Sequence, residues 1–125
     1  MKYIRTDNAP KAVGPYSQAI VVNGFVFCSG QIGLDPKSQE LASGIEAQTH
    51  QVLKNLEAVL LEAGSDLSHV VKTTIFITNM NDFATVNNIY EKYFEKHNPA
   101  RATVGVARLP KGALVEIEAI AIQIV

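Results

Sequence analysis

A chain of 125 residues with 47% apolar and 18% charged residues fits one globular domain, 1–125, and excludes a disordered segment or a second core. A formal net charge of −1 gives no attraction for nucleic acid or acidic membranes, so neither is expected as a partner. The N-terminal MKYIR runs into polar residues, no apolar stretch can span a bilayer, and the single Cys28 precludes an internal disulfide; a soluble cytoplasmic protein is expected.

The first strong local signal is Asn23-Gly24 between the apolar runs 19–22 and 25–28. Both turn positions of a tight hairpin need φ > 0, which Asn and Gly supply, so this predicts a β-hairpin. Ser43 and Glu46 have the spacing of a capping box ahead of a helix whose apolar positions are Ile45, Val52, Leu53, Leu56, Val59, Leu60 and Ala63, with Gly64 as its stop. Residues 70–78 (VVKTTIFIT) are β-rich and predict a strand. Asn81 or Asp82 then caps a second helix with the stripe Phe83, Val86, Tyr90 and Phe94, closed before Pro99. Strands over 101–107 and 114–125 complete a two-layer α+β domain.

The last strand carries Val115, Ile117, Ala119 and Ala121 on one face and Ile120, Ile122 and Ile124 on the other. Two helices can cover only one side of such a sheet, so the second side needs another cover. In so short a chain a second copy is the simplest one, and a homo-oligomer is expected.

No phosphate loop, dinucleotide fingerprint, nucleophile elbow or zinc motif is present, and His50, His69 and His97 lack ligand spacing; no metal is expected. Cys28 alternates with Val26 on an apolar strand and reads as a buried structural thiol. What remains are polar groups inside apolar elements. Arg101 shares a strand face with Thr103 and Gly105; Glu116 and Glu118 share a face of the final strand; Asn87 lies on the apolar stripe of the second helix. Such charges are costly unless paired or solvated in a cleft. They fit either a structural Arg–Glu bridge or a site in which Arg101 grips a carboxylate and Glu116 handles water.

Five blocks, taken together, resemble the Rid (YjgF/UK114) family: GPYSQ at 14–18, SGQI at 29–32, NDFATVN at 81–87, ARLPK at 107–111 and VEIEAIA at 115–121. The resemblance runs nearly end to end and is nearest the RidA-type branch of 2-iminobutanoate/2-iminopropanoate deaminases. It implies a chorismate-mutase-like fold, a mixed sheet with two helices on one face, and a homotrimer with clefts between subunits. It also implies hydrolysis of reactive 2-imino (enamine) acids to 2-keto acids and ammonia, without a cofactor. By that resemblance Arg101 binds the substrate carboxylate and Glu116 positions the water, while Tyr16, Gly30, Asn87 and Thr103 shape the pocket. Many relatives carry cysteine where Thr103 stands, in a role that is largely a backbone contact. A non-catalytic ligand-binding or chaperone-like trimer and an RNA-cleaving translation inhibitor are the alternative functions, the latter disfavoured by the charge balance.

Overall fold

In the computed structural model, which describes residues 1–124, the Asn23-Gly24 turn joins β2 (Ala19–Val22) to β3 (Phe25–Ile32). Asn23 and Gly24 have φ of 51° and 78°, as the hairpin demands. A short strand β1 (Lys2–Ile4), not anticipated from the sequence, pairs antiparallel with β2. The other strands are β4 (Val70–Ile77), β5 (Ala100–Gly105) and β6 (Val115–Ile122), and the sheet order is β1-β2-β3-β6-β4-β5. All its pairings are antiparallel except β4 with β5, so the sheet is mixed. The last two strands are shorter than 101–107 and 114–125 suggest, and Val125 lies outside the described residues.

Helix α1 (Gly44–Glu62) and helix α2 (Phe83–Phe94) pack on one face of that sheet. Val52, Leu53, Leu56, Val59 and Leu60 of α1 are buried against Val26, Ile75, Ile77, Val115 and Ile117. Gly64 ends α1 at φ 78°, with Ser65 N–H donating to Leu60 O (2.9 Å) and Gly64 N–H to Leu61 O (3.1 Å), the paired bonds of a Schellman stop. The start differs from the expected capping box: Ser43 makes no side-chain cap bond. Gly44 enters at φ 87°, and that left-handed step breaks the geometry the box needs. At α2 the expected cap also moves. Asp82 is already helical (φ −85°, ψ −3°), and the side chain that caps is Asn79, which accepts from Asn81 N–H at 2.9 Å ahead of a short 3-10 turn.

Among the described residues no helix lies over the opposite sheet face. Phe25 and Phe27 on β3, Val104 on β5 and Ile122 on β6 all point there and are 39–45% exposed. This is the uncovered side that the pattern of the last strand foreshadows.

Thr103 is the one place where a buried side-chain polar atom finds no partner among the described residues: its Oγ1 is sealed from solvent. Such a group forfeits its hydrogen bond to water without replacing it. Thr103→Val keeps the shape and removes the orphan, so it is expected to stabilise the fold by about 1 kcal/mol. Thermal denaturation checks this; a lowered midpoint would show that the hydroxyl is satisfied in the assembled protein.

Candidate active site

Glu116 is placed by strand alternation. Its neighbours Val115 and Ile117 are fully buried beneath the helices, so its own side chain emerges on the open face. Across the ladder it faces Ile32 of β3 and Phe76 of β4. The β3–β6 register slips between Cys28 and Gln31, a bulge that carries Ser29 and Gly30. Within it, Gly30 leaves room that a side chain would fill. A Cβ at position 30 would lie 2.9 Å from Glu116 Cδ and 3.1 Å from Cγ, closer than carbon atoms tolerate. The carboxylate occupies the space that the missing side chain leaves.

A cleft of about 490 Å³ opens here, lined by Tyr16, Gly30, Glu116 and Glu118, with Lys11 and Lys111 also in its wall. Tyr16 sits on the loop before β2, where its N–H donates to Gly14 O (2.9 Å), and its ring is half exposed. Burial is the main influence on Glu116 and raises its pKa above the ordinary carboxylate value; the like charge of Glu118 adds to it. No cation lies within 4 Å of either carboxylate among the described residues. Lys11 and Lys111 are contributors that sequence reasoning passed over, because both stand beside turn-forming prolines and read as loop residues. Lys111 holds a left-handed conformation (φ 59°), an uncommon state for a residue with a side chain.

Arg101 belongs to a different surface. Its register partner on β4 is Thr73, whose hydroxyl meets the Tyr90 hydroxyl at 2.6 Å beneath α2. Arg101 therefore leans towards the helix side of the edge strand. Its Nη1 donates to Asn87 Oδ1 at 2.7 Å, and its guanidinium carbon stands 5.1 Å from the Tyr90 ring centre and 5.7 Å from that of Phe83. Asn87 on the apolar stripe thus has its partner, and both aromatic rings stand within cation–π range of the guanidinium. No carboxylate of the described residues pairs with Arg101 within 4 Å. Most of its donors remain available beside a second cavity of about 440 Å³.

The candidate residues thus fall into two groups. Tyr16, Gly30 and Glu116 come together in the open-face cleft; Arg101 and Asn87 come together at the helix-side edge, with Thr103 on the same strand face as Arg101. One chain does not bring Arg101 to Glu116, and a structural bridge between them within the chain is ruled out by the same geometry. Cys28 takes no part: it is buried, and burial pushes its thiol up to about 12.

Residues 6–123 match the family described as Endoribonuclease L-PSP. The chain belongs to this family, the Rid family. The human 2-iminobutanoate/2-iminopropanoate deaminase is 51% identical over 123 residues, 98% of this chain and 90% of the human one. A Lactococcus lactis relative named as a regulator, AldR, is 53% identical over 122 residues, 97% of each chain. Among solved structures, E. coli TdcF with bound serine has a TM-score of 0.95 at 42% identity, covering 99% of this chain and 100% of that one. Membership in the Rid family establishes the fold. The three relatives carry different names at 42–53% identity.

Proposed function

We propose that this Rid protein hydrolyses 2-imino acids such as 2-aminoacrylate/2-iminopropanoate and 2-iminobutanoate to 2-keto acids and ammonia, at sites shared between the subunits of a homotrimer. The observation that carries the reading is the pair of unfinished half-sites. One holds a half-buried carboxylate and the other an aromatic-braced guanidinium, and neither finds an oppositely charged partner within 4 Å among the described residues. A second copy laid against the exposed apolar face would let Arg101 of one subunit look into the Glu116 cleft of the next. Covering Phe25, Phe27, Val104 and Ile122 supplies a reason for that contact to persist.

The chemistry asked of the assembled site is modest. Arg101 grips the substrate carboxylate with paired donors and so fixes the imine carbon. Glu116, raised by burial, is a stronger base than a surface carboxylate and takes the proton of the attacking water. Every step uses side chains of this chain, so no cofactor is invoked. The human deaminase and the serine-bound TdcF fit this reading, since both names concern small amino-acid-like molecules bearing a carboxylate. An RNA-cleaving role fits less well. Glu116 and Glu118 on one face of the cleft repel a phosphate and are matched only by Lys11 and Lys111 in its wall, while the net charge of −1 adds no long-range attraction.

The test supplies 2-aminoacrylate from a pyridoxal-phosphate-dependent dehydratase and follows pyruvate. The purified protein is expected to speed its appearance well above spontaneous hydrolysis. A rate equal to the spontaneous one removes the deaminase reading.

A further inference from the structure

Glu118 is two residues from Glu116 on β6, on the same face, and both line the same cleft. Strand alternation fixes this: the buried Ile117 between them points to the helices, so both glutamate side chains leave the ladder on the same open face. The like charge of Glu118 adds to the cost of ionising Glu116, and no cation lies within 4 Å of either carboxylate among the described residues. The groups that face Glu116 are few. β3 and β4 oppose it with Ile32 and Phe76, which carry no charge. The remaining wall supplies Tyr16, Lys11 and Lys111, and Lys72 of β4 lies beyond, beside Glu118 in a smaller cavity of about 250 Å³.

Resting on the deaminase reading above, we propose that Glu118 is a positioning residue for the reaction: its fixed negative charge keeps Glu116 basic enough to deprotonate the water after Arg101 of a second copy has entered the cleft. The arriving guanidinium stabilises the ionised carboxylate and weakens it as a base. Glu118 offsets that pull from a place where it need not touch the substrate.

The sequence of bonds shows what the basicity is for. Glu116 takes a proton from water as the oxygen bonds to the iminium carbon, and the C=N π pair moves to nitrogen, giving a carbinolamine. The protonated Glu116 next gives that proton to the carbinolamine nitrogen. The C–N bond then breaks with its electron pair leaving on ammonia, the hydroxyl proton passes to Glu116 as the C=O bond forms, and ammonia carries that proton away as ammonium. One carboxyl group accepts and donates in turn, which a strongly acidic Glu116 performs poorly in its first, accepting step.

Glu118→Gln keeps size and hydrogen-bonding capacity but removes the charge. The acid limb of its kcat/KM profile is expected to move to lower pH by roughly half a unit, with the neutral-pH rate falling severalfold as the base weakens. Glu118→Asp retains the charge and is expected to keep the wild-type limb. A purely structural role for Glu118 lowers the profile without moving the limb, and that result overturns the proposal. A second measurement separates it from the parent reading: the carbon-13 titration of the Glu116 carboxyl in wild type and Glu118→Gln. A midpoint that does not fall in the variant overturns the tuning while the deaminase stands; a wild-type protein that turns over no imine removes both.

Discussion

Arg101→Ala is expected to hydrolyse 2-aminoacrylate no faster than water does, and Glu116→Ala to fall by roughly 10²–10⁴-fold, yet the two variants co-expressed in equal amounts should recover about a quarter of wild-type activity. The recovery follows from the opposite faces on which the two residues stand. Arg101 lies over Tyr90 and Phe83 on the helix side, and Glu116 projects from the open side. A working centre must then draw its guanidinium from one subunit and its carboxylate from another. With random assembly of equal amounts, half of the arginine positions and half of the Glu116 positions are intact, so about one site in four is complete. The count is independent of ring size, provided each site joins two neighbours. Initial rates of pyruvate release measure it directly. Mixed oligomers, verified by mass, that show no more activity than the separate variants would mean that the two side chains do not share a centre.

That division of the site marks the limit of what the sequence reveals. The long elements are legible because their periodicity is strong: the stripe of α1 and the Asn23-Gly24 hairpin appear where the apolar spacing and the turn chemistry put them. β1 is not, since three residues with only Ile4 buried carry almost no pattern. The capping box fails for a related reason. Residue types at the right spacing do not disclose that Gly44 takes a left-handed φ. Arg101, Glu116 and Asn87 stand out from the sequence as polar groups among apolar neighbours, but their faces do not. Which side Arg101 takes relative to Glu116 depends on two registers, Arg101 with Thr73 and Phe76 with Glu116. A one-residue slip in either would put both on one face, and no local composition distinguishes the alternatives. The surroundings of Glu116 were equally hidden. The sequence offers Arg101 as its dominant neighbour, whereas within the chain burial and then Glu118 govern it.

Gly30→Ala is expected to leave the fold nearly intact and lower kcat/KM by roughly a hundredfold or more, a loss on the scale of removing the base itself. The added methyl would collide with the Glu116 side chain, 2.9 Å from Cδ, whereas no backbone atom is among its nearest contacts. A half-buried glutamate can relieve that clash by rotating, so stability suffers little, but the rotation carries its carboxylate out of the place Gly30 leaves for it. Displacement of about 1 Å is enough to disable a group whose work is positional. Combining the change with Glu116→Ala separates this from damage elsewhere in the cleft. If Gly30 acts only by housing that carboxylate, the double variant should be no slower than Glu116→Ala alone, because the obstacle has nothing left to displace. Losses that multiply would assign Gly30 an independent role, such as close approach of its backbone to the substrate. Thermal midpoints within a few degrees of wild type are part of the expectation, since a collapsed β3 bulge would also abolish activity and would show itself there.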